Sequence, residues 1–596
     1  MYSNVESVQY LVSALKKSGI TTAVISPGTS HDAIVRSLEE DGGFHTYNVV
    51  DERSAAFFAC GLAQEQHKPI IICCTAGTAA INYLSGITEA YKRNLPLVVV
   101  TADKNPHYLN QVEDQMVEQI TPFQSVTKYN CCLPLIRNEN DRWYCKRLIN
   151  EALLEIGHHG NGPVHIDVPI EEGMFAIGNV FTTKDLPEFE LINRYELSDP
   201  AVNWDGIFSE LREKRIMIIS GQDTAPDPVK AELLESIFNR YNCVIAVDKL
   251  SNLHCEGSLE VSLATKRMQN NYGALQPDVV ISLDGAATDY KFILKRKDYP
   301  FKHWTVNEHG TVCDPFKKLS AVFEGSTVSF LAKMAMYGAE CDHSYYDQWK
   351  ACVEQFTVPE FEYSNAYAIN RLMGRIPAGS NLNISNSSPI RLAQFFELNE
   401  NVTVFCNRGV NGIDGCASTF IGQAAASPNK LNYLIIGDLS FFYDLNSIWN
   451  RYVGSNVRIM LSNNGGAALF HFNQGLKNFP TLNENVAAEH FSKAQGWVES
   501  QGFTYLSAHD KESFDEALEA FMVKESDRPI FFEVFTRKED DARVQHEFFD
   551  LNILPAPERH LSNEVRRKKP LRIRTKEAVR IMLGEELFEK IRRKKK

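Results

Sequence analysis

Residues 68–102, KPIIICCTAGTAAINYLSGITEAYKRNLPLVVVTA, decide how this chain folds. Its two ends, KPIIICC and LPLVVVTA, are short, continuously apolar runs rich in β-branched residues, which suits strands buried on both faces. The segment between them is helical in pattern, so the stretch predicts a parallel strand–helix–strand crossover. Outward from it, TTAVIS from Thr21, HTYNVV from His45 and PVHIDVPI from Pro163 add further strands, and SAAFFACGLAQEQ from Ser54 adds a helix. Together they predict a doubly wound parallel sheet over residues 1–185. The pattern lapses into a mixed polar stretch between Glu171 and Pro200 and then resumes twice. RIMIISG, NCVIAVD, PDVVISLDG and HWTVNEHG define a central α/β domain over residues 200–340. LNISN, VTVFCNRG, LNYLIIGD, VRIMLSNN and RPIFFEVF define a third over residues 341–555.

Composition fits this architecture and excludes several others. With 596 residues, 44% hydrophobic and 23% charged, the chain is neither disordered nor fibrous. Its net charge of −13 argues against a surface that tracks nucleic acid, so no nucleic-acid partner is expected. The charge is uneven: residues 559–596 hold 15 Lys/Arg against 5 Asp/Glu, a net of +10, which leaves −23 on the rest. Within residues 556–596, Ala578, Ile581, Leu587, Phe588 and Ile591 lie at helical spacing, predicting a short amphipathic helix with cationic flanks. A solvated tail and one that docks on a membrane surface or a protein partner both fit that pattern. The 13 scattered cysteines include no CxxC pair, the N-terminus lacks the charge and apolar core of a signal peptide, and no apolar run approaches the ~18 residues of a membrane helix. A reducing, cytoplasmic setting follows.

Chemistry is concentrated in two places. In the third domain a strand runs into Gly437-Asp438-Leu439-Ser440 and the next into Asn463-Asn464-Gly465-Gly466. Such strings are most often a turn and a loop. They also stand beyond the carboxyl ends of parallel strands, where ligands collect. There Asp438, Asn463 and the Gly465 carbonyl would offer oxygens to Mg²⁺ and leave positions for phosphate oxygens and water. In the first domain Glu52 stands at a helix start in DERSAAFFACGLA, a place where a carboxylate commonly does no more than complement the helix dipole. An apolar setting would raise its pKa and let it share a proton with a ring nitrogen.

Taken together, DERSAAFFACGLA, Ser26-Pro27-Gly28, CTAGTAAINYL from Cys74, Thr101-Ala102-Asp103, GPVHIDVPI from Gly162, NRGVNGIDG from Asn407 and the GDLS and NNGG pair resemble the thiamine-diphosphate-dependent enzymes. The resemblance is nearest to the menaquinone-pathway synthase family that makes 2-succinyl-5-enolpyruvyl-6-hydroxy-3-cyclohexene-1-carboxylate, and it runs to about residue 550. It implies three doubly wound domains of the thiamine-diphosphate-binding type with a basic tail, and a decarboxylating carboligase using thiamine diphosphate and Mg²⁺. It also implies that Glu52 bonds the cofactor's aminopyrimidine and that Ile413 wedges between its rings. Asp438, Leu439, Ser440, Asn463 and Gly465 would hold the diphosphate and its metal. A homo-oligomer, at least a dimer with its active site between subunits, follows from the same resemblance.

By the same similarity Gln115, Ser387, Arg391 and Arg408 would contact a first substrate, 2-oxoglutarate, with Gln115 close to the chemistry. For the acceptor, isochorismate in the family, the chain departs from the pattern. Ser30, in Ser26-Pro27-Gly28-Thr29-Ser30-His31, stands where the family has arginine, while Lys104 and Lys291 keep the charge of family arginines and lose the planar fork. Asp114 replaces an asparagine. A different acceptor in a specialised pathway, and a non-catalytic scaffold of the same fold, are the competing readings.

Overall fold

The computed structural model describes residues 1–170, 181–268, 273–283, 285, 300–473, 475–476 and 479–553. Lys291 and the basic tail lie outside them. Three parallel sheets follow one another along the chain. The first consists of β1 (Thr22–Ile25), β2 (His45–Asn48), β3 (Ile70–Cys74), β4 (Leu97–Asp103), β5 (Tyr129–Cys132) and β6 (Val164–Pro169), in the order β2-β1-β3-β4-β6-β5. β3 and β4 are buried along their whole length, with a hydrophobic cluster on each face of the sheet. This is the double burial that their unbroken apolar runs predict.

The central sheet consists of β7 (Asn193–Glu196), β8 (Ile216–Ile219), β9 (Cys243–Ala246), β10 (Ser258–Leu259), β11 (Val279–Ser282), β12 (Lys302–Asn307) and β13 (Leu319–Glu324), in the order β10-β9-β8-β11-β12-β13-β7. Two features move the expected limits of this domain. β7 pairs with β13 from within the stretch that reads as inter-domain, because a short polar edge strand carries no apolar run to announce it. On the other side, Tyr345 and Trp349 of the helix Ser344–Val353 pack with Val244 and Val280 in the central core, beyond the expected boundary at residue 340.

The third sheet consists of β14 (Asn381–Ile384), β15 (Thr403–Phe405), β16 (Asn432–Gly437), β17 (Val457–Asn463), β18 (Thr504–Ala508) and β19 (Ile530–Phe535), in the order β15-β14-β16-β17-β19-β18. From β14 the chain moves outward to β15 on one side and to β16 on the other, so the carboxyl ends of β14 and β16 diverge into a crevice at a switch point. Among the described residues no helix is long and apolar enough to cross a membrane.

Candidate functional site

A cavity of about 350 Å³ opens at that crevice. Its walls are the segment after β14 (Asn386 to Pro389), the turn after β16 (Gly437 to Ser440), the loop after β17 (Asn464, Gly466 to Ala468), and Ile413. Asp438 is the first residue of the helix Asp438–Tyr443, and it is almost fully buried. One carboxylate oxygen accepts the Leu439 N–H at 2.7 Å, and the other accepts the Asn464 and Gly466 N–H groups at 3.1 and 3.0 Å. The ring of His490 lies 3.3 Å from that second oxygen. The aspartate thus gathers the loop after β17 around itself.

The two asparagines of the doublet have different jobs. Asn463 ends β17 and turns inward, donating its amide to buried Glu533 at 2.7 Å and to the Ser492 carbonyl at 3.0 Å. It does not line the cavity, which corrects the ligand expected there. The Gly465 carbonyl is likewise engaged, accepting the His490 N–H at 3.2 Å. Asn464 and Gly466 form the wall in their place. The last residue of a doubly buried strand packs into the protein, and the next is the first free to face the crevice. The doublet alone does not tell which asparagine that is. Asn464 donates its amide to Asp541 at 2.8 Å, which leaves its carbonyl oxygen as the free end. That oxygen is buried without a hydrogen-bond partner, as are the side-chain oxygens of Asn365 and Ser462 in the same wall. Asp541 also accepts from the Asn365 N–H and the Thr536 hydroxyl, both at 2.8 Å, and burial pushes its carboxyl up to about 6.

Three buried, unpartnered oxygens beside an aspartate are an oxygen-donor set of the kind Mg²⁺ takes. Gly466 lets this loop close on its neighbour: at φ +144° a Cβ there would stand 2.7 Å from the Ala487 carbonyl. Thiamine diphosphate with Mg²⁺ fits these residues. Ser440 donates to the Ile413 carbonyl at 2.5 Å and holds that residue in the wall. Asn386 bonds the Asn407 and Gly412 carbonyls at 2.7 and 2.6 Å, and Arg408 donates to Asn386 at 3.1 Å. Ser387 takes a positive φ of 76° at the start of the helix Ser388–Ala393, which carries Arg391. Ser387, Ile413, Asp438, Leu439 and Ser440 therefore meet in one place, with Arg391 and Arg408 on adjoining segments.

The first-domain residues stand elsewhere, and the cavity is lined entirely from residue 365 onward. Glu52 is half-buried at the start of the helix Glu52–Gln66, whose N-terminus is capped by Asp51 accepting the Ser54 N–H at 2.8 Å. Gln115 is exposed at a positive φ of 54°. Ser30 is buried, its hydroxyl bonded to the Thr75 hydroxyl and to the Ala76 N–H, which ties two loops together. The Lys104 ammonium is paired with Glu113, a partner that sequence spacing did not suggest. Beside it, Asp103 and Asp167 are buried carboxyls. Burial and the neighbouring Asp167 push Asp103 up to about 7, and burial pushes Asp167 up to about 6 against hydrogen bonds from Thr101 and Gln119.

Residues 6–122 match the family model described as thiamine pyrophosphate enzyme, N-terminal TPP binding domain, which makes the chain a thiamine-pyrophosphate enzyme and fits the oxygen-lined cavity at the switch point of its third sheet. The chain is 38% identical over 560 residues, 92% of its length and 99% of the relative, to 2-succinyl-5-enolpyruvyl-6-hydroxy-3-cyclohexene-1-carboxylate synthase of Bacteroides fragilis. The Bacteroides thetaiotaomicron and Flavobacterium johnsoniae proteins of the same name are 36% and 29% identical over 557 and 565 residues, again 92% of the chain and 99% of each relative. The chain belongs to this synthase family.

Proposed function

We propose that the chain decarboxylates 2-oxoglutarate and adds the resulting four-carbon unit to isochorismate, forming 2-succinyl-5-enolpyruvyl-6-hydroxy-3-cyclohexene-1-carboxylate. The observation that carries this reading is the cavity in which Asp438, the free oxygen of Asn464 and Gly466 converge, in a chain that spans nearly the whole length of the named synthases. Asp438, the Asn464 side-chain oxygen and the Gly466 carbonyl would hold Mg²⁺, and Leu439 and Ser440 would flank the diphosphate. Ile413, held in the cavity wall by Ser440, would support the cofactor rings. When bound, thiamine diphosphate supplies the carbon nucleophile and the electron sink.

The chain's own groups do the rest. Glu52 would bond the cofactor's aminopyrimidine and hold or release a proton there. Arg391 and Arg408 offer planar forks to the carboxylates of the 2-oxo acid, with Ser387 and Gln115 completing its contacts. The ion pair of Lys104 with Glu113 must open, or be shared, for that ammonium to meet an anionic acceptor.

The cavity draws only on the third domain, and in the proposed reading Glu52 would reach it from a second copy of the chain. Exposed apolar side chains support that pairing: Phe57 and Phe58, on the helix that begins with Glu52, are 46% and 42% exposed, and Val410, in the loop beside Arg408, is 93% exposed. Such groups mark association surfaces when they cluster beside a site. The test is CO₂ release from a panel of 2-oxo acids with and without isochorismate, followed by mass analysis of the product. The expected result is an isochorismate adduct formed from 2-oxoglutarate. An adduct with a different acceptor, in the presence of inert isochorismate, contradicts the assignment.

A further inference from the structure

We propose that His158, His159 and Glu324 form a binding site for a transition-metal dication of the zinc class that clamps the first domain to the central one. The site lies apart from the cofactor cavity, whose lining belongs to the third domain. His158 and His159 follow the helix Glu139–Glu155 in the first domain, and Glu324 ends β13 of the central sheet. His159 adopts a positive φ of 52°, and the turn sets the two imidazoles edge to face with centroids 4.0 Å apart. Both rings then aim Nε2 at the same carboxylate: His158 lies 2.9 Å from one oxygen of Glu324 and His159 lies 2.6 Å from the other. One ligand atom from each of the three residues falls within 4.8 Å of the others.

The surroundings are those of a ligand set. Nδ1 of His158 meets Glu155 at 3.1 Å, the carboxylate–histidine contact that fixes a ligating ring's tautomer with Nε2 free for a metal. Glu155 is itself held by buried Arg194 at 2.8 Å, and the Lys128 ammonium bonds the His158 and Gly160 carbonyls, pinning the turn. Gly310 keeps space open beside Glu324, since a Cβ there would stand 2.5 Å from its carboxylate oxygen. Two imidazoles and a carboxylate suit Zn²⁺, with water as the fourth ligand, far better than Mg²⁺ or Ca²⁺. Tetrahedral bonds of ~2.0–2.1 Å set ligand atoms roughly 3.3 Å apart, so the rings and the carboxylate would part by about half an ångström from their 2.9 and 2.6 Å contacts. The turn and the edge strand Asn193–Glu196 beside β13 are both exposed enough to permit that.

The test is calorimetric titration of Zn²⁺ into chelator-treated chain already saturated with Mg²⁺ and thiamine diphosphate, in wild type, His159→Ala and Glu324→Gln. His159 is 65% exposed, so its removal leaves the fold intact, and Glu324→Gln preserves shape. The wild type is expected to bind one Zn²⁺ per chain at a site that each variant weakens by at least about tenfold. Zn²⁺ should also raise the thermal midpoint of the wild type alone. No Zn²⁺ bound by the wild type, or the same stoichiometry and affinity in His159→Ala, overturns the proposal. The second outcome would assign the ions to thiols or to the magnesium site.

Discussion

Asn464 donates its side-chain amide to Asp541 across 2.8 Å, and the other end of that carboxamide is the unpartnered oxygen in the cavity wall. The carboxylate thus orients the proposed metal ligand without touching the metal. In Asp541→Asn, one carbonyl must serve the donors from Asn365, Thr536 and Asn464. The rigid backbone N–H of Asn365 takes it, so the new amide faces the amide of Asn464 and turns that side chain over. Mg²⁺ affinity should fall roughly 10- to 100-fold. The readout is Mg²⁺-dependent fluorescence quenching by thiamine diphosphate, with far-ultraviolet circular dichroism unchanged.

The neighbouring asparagines should separate in their effects. Asn463→Ala removes a donor from buried Glu533 and should cost about 1–3 kcal/mol of stability while sparing Mg²⁺ binding. Asn464→Ala should do the reverse. Denaturant titration and cofactor titration of both variants check this, and equal metal defects would restore Asn463 as a ligand.

The Asp103 and Asp167 pair predicts a pH dependence. The folded pKa of Asp103, about 7, lies above the usual 3.8. Its favourable contribution is therefore complete below about pH 4 and is lost as pH rises through about 7. Relative to Asp103→Asn, the wild type should lose on the order of a few kcal/mol between about pH 5 and about pH 8. Unfolding midpoints of the two proteins at both pH values measure the difference. A constant gap sinks the reading.

Phe57 shares the helix of Glu52 and exposes nearly half its surface. Phe57→Asp should shift the chain toward monomer in sedimentation velocity and lower turnover in parallel, restoring neither at high cofactor. A fully associated variant with normal activity would place the interface elsewhere.

Much of this architecture was readable from residue patterns because it rests on burial. β3 and β4 announce themselves as unbroken apolar runs, and β16 and β17 do the same before GDLS and the asparagine doublet. β7 carries no such signal, because this edge strand is exposed at both ends and only half-buried between them. Within the site, strand ends located the crevice. The choice between Asn463 and Asn464 depended on Glu533 and Asp541, which lie about 70 residues or more away in sequence and enter only when β19 and the following helix fold back. Ser30 and Lys104 likewise have partners, Thr75 and Glu113, that no motif in the sequence announces.

In the proposed dimer, Glu52 of one copy completes the Asp438 cavity of another. Mixing inactive Glu52→Gln chains with inactive Asp438→Asn chains, after dissociation and reassociation, tests it directly. If each site draws its glutamate and aspartate from different chains, every mixed dimer holds one intact site, and random pairing should recover about a quarter of wild-type activity. If both residues serve the same site within one chain, each chain stays defective and the mixture remains inactive, which would contradict the account.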